Sequence, residues 1–114
     1  MNWKRGQVAL TLNKALGYFY RDIEIIPVQG YICEEIGLAI TRPYNKNKNK
    51  WDVIHIQSGY RVENNIDSLI TAKRYAEIAA TFIDFKLPRC KLEKLKLTFS
   101  REKIWESIKN NRMA

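Results

Sequence analysis

Between Arg42 and Trp51 the chain reads RPYNKNKNKW, four cations interleaved with asparagines and bracketed by aromatic rings. On a loop between two strands, Arg42, Lys46, Lys48 and Lys50 can reach a phosphate backbone, and each phosphate they neutralise releases counterions. Tyr44 and Trp51, with Tyr60 a little further on, supply ring faces on which bases or guanidinium groups stack. Lys73 and Arg74 fall in the first turns of a helical pattern, where free backbone N–H groups also favour anions. Lys86, Arg89, Lys91, Lys94 and Lys96 extend the positive charge. The plainer alternative is a solvated hairpin loop, with the aromatics in the core.

Catalytic chemistry has little to build on. His55 is the only histidine, and it falls on a strand pattern among hydrophobic neighbours, where a packed, hydrogen-bonded imidazole is the expectation. No Ser, Cys or Thr has the base and orienting group that a nucleophile needs. Cys33 and Cys90 lie far apart and, with one histidine, cannot complete a four-ligand zinc site without carboxylates. Glu34 and Glu35 read as a solvated strand edge, and Gly30, Gly37 and Gly59 as isolated turn or strand glycines rather than a phosphate-cradling loop. The expectation is therefore a protein that is not an enzyme and carries no cofactor or metal.

The 114 residues suffice for one domain spanning 1–114, in which 85–114 form a basic C-terminal extension packed on or flexibly attached to the body. A hydrophobic fraction of 46% marks a globular chain. The net charge of +8 favours polyanionic partners, and it is unevenly spread. Residues 1–40 are balanced, 41–52 carry net +3 and 86–112 net +6. No apolar run approaches the roughly 18 residues of a membrane span. Two cysteines without a CxxC motif or secretory context point to reduced thiols in the cytoplasm.

The elements that must position these residues can be read in order. Residues 1–7 look polar and loosely held, although Trp3 can pack back on the body. Val8, Leu12, Ala15, Leu16 and Phe19 keep helical spacing and predict a first helix up to about Tyr20, although Val8, Leu10 and Leu12 also suit a strand. Asp22 to Val28 reads as a short extended segment closed by a turn at Gln29-Gly30. GLAITRPY is a strand ended by Pro43, with Leu38 and Ile40 on one face. WDVIHI alternates, Trp51, Val53 and His55 against Asp52, Ile54 and Ile56, and returns through Gln57-Ser58-Gly59 to a strand at Tyr60-Arg61-Val62.

Asp67 to Phe85 then carries Leu69, Ala72, Ala76, Ala79, Ala80 and Ile83 at steps of three and four, a helix capped by Asp67 or Ser68. Its alanine stripe lets a sheet approach closely. Residues 86–96 fit a short helix or linker, and Leu95, Leu97 and Phe99 fit a last strand equally well. Ser100 caps a final helix with Ile104, Trp105 and Ile108 as its apolar stripe. The predicted class is α+β: a small antiparallel sheet of three to four strands, a central amphipathic helix on one face, and N- and C-terminal helices.

That order, helix, three strands, helix, is the order of double-stranded-RNA-binding domains, and TAKRYAEIAA is loosely similar to the start of their second helix. The strand-connecting loop lacks the family's proline-histidine element, and of its phosphate-binding cluster only Lys73 and Arg74 have counterparts. The sequence is not assigned to that family.

Two functional expectations follow. One is a small basic protein that contacts DNA or RNA through phosphate electrostatics. The other is a protein-interaction module, an inhibitor or accessory subunit of the kind a phage or plasmid carries, that docks on an acidic face of a nucleic-acid-handling complex. Ile104, Trp105 and Ile108 would be its anchors.

Overall fold

The computed structural model describes residues 2–15, 21–44, 49–92 and 94–113, less the side chains at 13–15, 21, 22, 89, 94–99 and 111–113. Five strands run β1 (Lys4–Ala15), β2 (Arg21–Cys33), β3 (Leu38–Thr41), β4 (Trp51–His55) and β5 (Arg61–Ile66). They form one antiparallel meander in sequence order. Helix α1 (Leu69–Phe82), a 3-10 turn (Arg89–Lys91) and helix α2 (Lys94–Met113) follow. The class is α+β as expected, with more strands and fewer helices than the sequence pattern predicts. No helix among the described residues is long and apolar enough to cross a membrane.

The largest departure is at the N-terminus. The expected helix from Val8 is strand β1, and the supposedly loose Lys4 to Gln7 belong to it. Period two wins over period 3.6: Val8 and Leu10 are buried while Gln7 and Ala9 are exposed. Leu16 and Phe19 lie outside the described residues. The Gln29-Gly30 turn is also absent, because Gly30 sits inside β2, paired with Gly6 and Thr41. A Cβ there would stand 2.5 Å from the Ile40 carbonyl oxygen, so this glycine permits a close strand approach rather than a reversal. With the first helix gone, the order shared with double-stranded-RNA-binding domains is gone too.

The sheet is covered on both faces. Leu38, Ile40, Val53, Ile66 and Cys33 form one core with Ala72, Tyr75, Ala76 and Ala79 of α1 and with Ile104 and Ile108 of α2. On the other face Ala39 and Ile54 pack against Val8 and Leu10 of β1, with Val28, Ile32 and Ile56 around them. The first hairpin therefore curls back across the sheet. Its β1 edge meets the β4–β5 turn, where the Thr11 N–H donates to the Gly59 carbonyl at 3.0 Å and the Thr11 hydroxyl to that of Ser58 at 2.6 Å. Gly59 has φ +73, and a Cβ would lie 2.5 Å from the Ala9 carbonyl oxygen, so glycine is required on both counts. Beyond the reach of the four-residue β3, Ile23 and Ile25 of β2 are exposed.

Of the two proposed caps for α1, Ser68 acts: its hydroxyl oxygen accepts the Thr71 N–H at 3.1 Å. The alanine stripe faces β3, β4 and β5 as expected, with Tyr75 added to it. Arg74, Thr81 and Asp84 are exposed, and Lys73 and Glu77 half-buried.

The proposed last strand at Leu95, Leu97 and Phe99 is helix, and Ser100 lies inside α2 rather than at its cap. Ser100, Ile104 and Ile108, four apart, are all buried on one stripe. Its first turn, Lys94, Leu95, Lys96 and Leu97, is made of good helix formers. Helix α2 packs on α1 and the sheet core through its buried stripe. Glu63 of β5 anchors it: the Arg101 guanidinium donates to both carboxylate oxygens, at 2.5 and 3.2 Å, and the Trp105 Nε1–H donates at 3.3 Å. The Asn64 N–H donates to the same carboxylate at 3.0 Å. Tyr75 packs against Trp105 with centroids 5.1 Å apart and planes tilted by 51°. Burial, and then the Glu63 charge and its hydrogen bond, push the Tyr75 phenol well above its ordinary value. Glu63 also raises the Arg101 guanidinium.

Two predictions follow from this packing. Ala76 is fully buried, so Ala76→Leu overpacks the α1–sheet contact and costs about 1–3 kcal/mol. Denaturant unfolding checks this against exposed Thr81→Ala, and equal midpoints for the two variants would refute the contact. Tyr75 is favoured neutral in the folded state. Its contribution is therefore whole below its ordinary value of 10.0 and declines as pH rises past it. Thermal unfolding measured between neutral and alkaline pH will show a shallower alkaline loss in Tyr75→Phe than in the parent.

Candidate functional site

The helix-facing side of the sheet is not wholly roofed by α1, which lies over β3, β4 and β5. Beside it, on β1, β2 and the start of β4, aromatic rings and cations form a strip. Tyr31 and Trp51 meet edge to face, centroids 6.1 Å apart and planes at 63°. The Arg42 guanidinium carbon sits 3.7 Å from the Trp51 ring centroid, and its Nη1–H donates to the Lys50 carbonyl at 3.3 Å. The Lys73 Nζ stands 5.0 Å from the Tyr31 centroid and the Arg5 guanidinium carbon 5.9 Å from it. Each such contact contributes about 0.5–1 kcal/mol at an exposed site.

The sheet builds this strip from alternation. Arg5 stands opposite Tyr31 across β1–β2, and Tyr31 shares the helix-facing side of β2 with buried Cys33. Thr41 pairs with Asp52, which brings Arg42, one residue beyond β3, beside Trp51. Helix α1 presents Lys73 from above, and the Trp3 Nε1–H donates to its Glu77 at 3.0 Å, tying the N-terminal segment to the helix. Lys50 is ion-paired to Asp67, just before the Ser68 cap.

The expected site residues divide accordingly. Arg42, Lys50, Trp51 and Lys73 come together, with Arg74 exposed on the next position of α1 and Tyr44 exposed two residues past Arg42. Lys46 and Lys48 lie outside the described residues, as do the side chains of Arg89, Lys94 and Lys96. Tyr60 is at the opposite end of β4, about 13 Å away by strand rise, where the His55 N–H donates to its carbonyl. Lys86 is exposed in the connector at that same end, and Lys91 is exposed in the 3-10 turn. Ile104 and Ile108 are core residues, and Trp105 is engaged with Glu63 and Tyr75, so the surface offered to a partner by these three is already used within the chain. The stripe was legible in the sequence, but not which surface it would cover.

Tyr31 and Arg5 were missed. A turn at Gln29-Gly30 would separate Tyr31 from the strand before it, and a loose segment over residues 1–7 would leave Arg5 outside the sheet, whereas both residues belong to it. The enrichment in β-branched and aromatic residues on both sides of Gln29-Gly30, Ile25, Ile26 and Val28 before it and Tyr31 and Ile32 after it, was the available signal.

His55 behaves as expected of a packed imidazole. Its Nε2 lies 2.9 Å from the carbonyl oxygens of both Phe85 and Leu87, which only accept, so Nε2 carries the proton. Nδ1 accepts from the Ser58 hydroxyl at 2.7 Å, and the Ser58 oxygen accepts the Tyr60 N–H at 3.2 Å. The ring fastens the α1–α2 connector to the β4–β5 turn. Glu34 and Glu35 are exposed in the β2–β3 turn rather than on a strand. Cys33 is buried and Cys90 exposed, both free. Among the described residues no group of three His, Cys, Asp or Glu side chains is placed to hold a metal ion.

Compared with known protein families, curated proteins and solved structures, the chain matches none. The strip of Tyr31, Trp51 and their cations is the arrangement from which a function can be argued.

If Arg42 is held by Trp51, the two substitutions are not additive. A double-mutant cycle of Arg42→Ala and Trp51→Leu, read by chemical unfolding, is expected to give a coupling of about 0.5–1 kcal/mol. Strict additivity would mean that the stacked geometry contributes nothing in solution.

Proposed function

We propose that this chain is a small non-enzymatic nucleic-acid-binding protein that holds phosphates through Arg42, Lys73, Arg74 and Arg5, with Lys46, Lys48 and Lys50 following Arg42 in sequence. The observation that carries the reading is the grouping of Arg42, Lys73 and Arg5 around the Tyr31 and Trp51 rings. Cations held on ring faces are positioned before a ligand arrives, which lowers the ordering cost of binding. The net charge of +8 adds long-range attraction for a polyanion. Two free cysteines suit a reducing compartment, so the proposed location is the cytoplasm, and the proposed partner is DNA or RNA. The protein-interaction reading loses support because Ile104 and Ile108 are core residues.

Electrophoretic mobility shift over a salt series tests this. The parent is expected to bind DNA or RNA with log K falling linearly in log salt. Replacing Lys46, Lys48 and Lys50 by Gln should weaken binding about equally for all sequences, because phosphate contacts carry no base information. The slope should become shallower by up to about 0.9 per lost contact on duplex DNA, or about 0.7 on a single strand. Arg42→Gln with Lys73→Gln should act in the same direction. Parent-like binding by both variants, together with nuclease-resistant capture of one protein, would transfer the function to an acidic protein partner.

A further inference from the structure

Resting on the nucleic-acid reading above, we infer that the strip takes a single strand rather than a duplex, with a base laid on the Arg42 guanidinium that caps Trp51. A duplex offers a protein surface its phosphates and base edges, while its base faces stay stacked inside. It would engage the cations of this strip and leave the rings idle. A single strand offers both, and ring or guanidinium planes are what its unstacked bases bind. Two rings 6.1 Å apart, each already flanked by a cation, match that chemistry.

Arg42 is the residue on which this turns. It is exposed, stands 3.7 Å over the indole centroid, and is held by the Lys50 carbonyl. A planar guanidinium held over the indole, on a side chain as exposed as Arg42, can offer its outer face to a base while its remaining N–H groups reach the adjoining phosphate. The strip then works as an extended stack, base on Arg42 on Trp51, with Tyr31 steeply inclined to the indole and Lys73 and Arg5 beside Tyr31 for the neighbouring phosphates. A lysine at position 42 would keep the charge and lose the plane.

The test compares labelled single strands of about 15 nucleotides, oligo-dT and oligo-rU, with a duplex of the same length, for the parent and Arg42→Lys. Salt is varied between about 50 and 200 mM. The expected result is tighter binding of single strand than of duplex. Arg42→Lys should then bind single strand about 5-fold or more weakly, with an unchanged salt slope. Quenching of indole emission in the parent on adding oligo-dT, lost in Trp51→Leu, would agree with it without requiring an affinity change. Duplex bound as tightly as single strand, with Arg42→Lys equal to the parent, would overturn this inference and leave phosphate binding standing. No shift with any of the three probes at the lowest salt would remove the nucleic-acid reading itself, and this one with it.

Discussion

Everything in this structure depends on burying β3 and β4 from both sides. Leu38, Ala39, Ile40, Val53 and Ile54 have no exposed surface, although neighbours in this run point to opposite faces. One face is closed by helices and the other by the first hairpin, which must curl far enough for Thr11 to bond Gly59. A sheet covered on both faces reads as a continuous apolar run, which is the pattern of LAIT. The register shifts between β4 and β5, and the left-handed φ of 56 at Asn65, sit where the last strand bends under the helices.

Two buried polar side chains hold the connections that such a sheet leaves loose. His55 binds two carbonyls of the connector through one nitrogen and the β4–β5 turn through the other, so the end of α1 and the turn touching β1 share one peg. Glu63 binds α2 through Arg101 and Trp105. In both cases the hydrogen bonds offset a desolvation cost that would otherwise be several kcal/mol. Both belong to the scaffold, His55 through the connector and turn, Glu63 through α2.

The strip inherits its order from that scaffold. Tyr31 is placed by its position in β2, Trp51 by the start of β4, and Lys73 by a helix whose start is fixed by Ser68 and flanked by the Lys50–Asp67 ion pair. Among the described residues Arg5, Arg42 and Lys73 stand over ring faces, which hold a cation without cancelling its charge. Lys50 is instead ion-paired to Asp67.

Local pattern was enough for β3, β4 and α1, because each states its period within a dozen or so residues: alternation in WDVIHI, three-and-four spacing in the alanine helix, serine at its cap; of β5 it showed the start at Arg61 but not the run on to Ile66. It also put Trp51 close to the basic loop that begins at Arg42 and made His55 a packed residue, while the contact of Arg42 with Trp51 came from the β3–β4 register. The N-terminal third could not be settled that way. Val8, Leu10 and Leu12 satisfy a strand while Val8, Leu12 and Ala15 satisfy a helix, and the choice is made by pairing with β2, a partner many residues away. The same holds at the C-terminus, where Leu95, Leu97 and Phe99 alternate but Ser100, Ile104 and Ile108 find a buried stripe on α2. Arg5 and Tyr31 joined the site only through the β1–β2 register, since bringing residues from two strands and a helix onto one surface is a property of packing and not of any local stretch of chain.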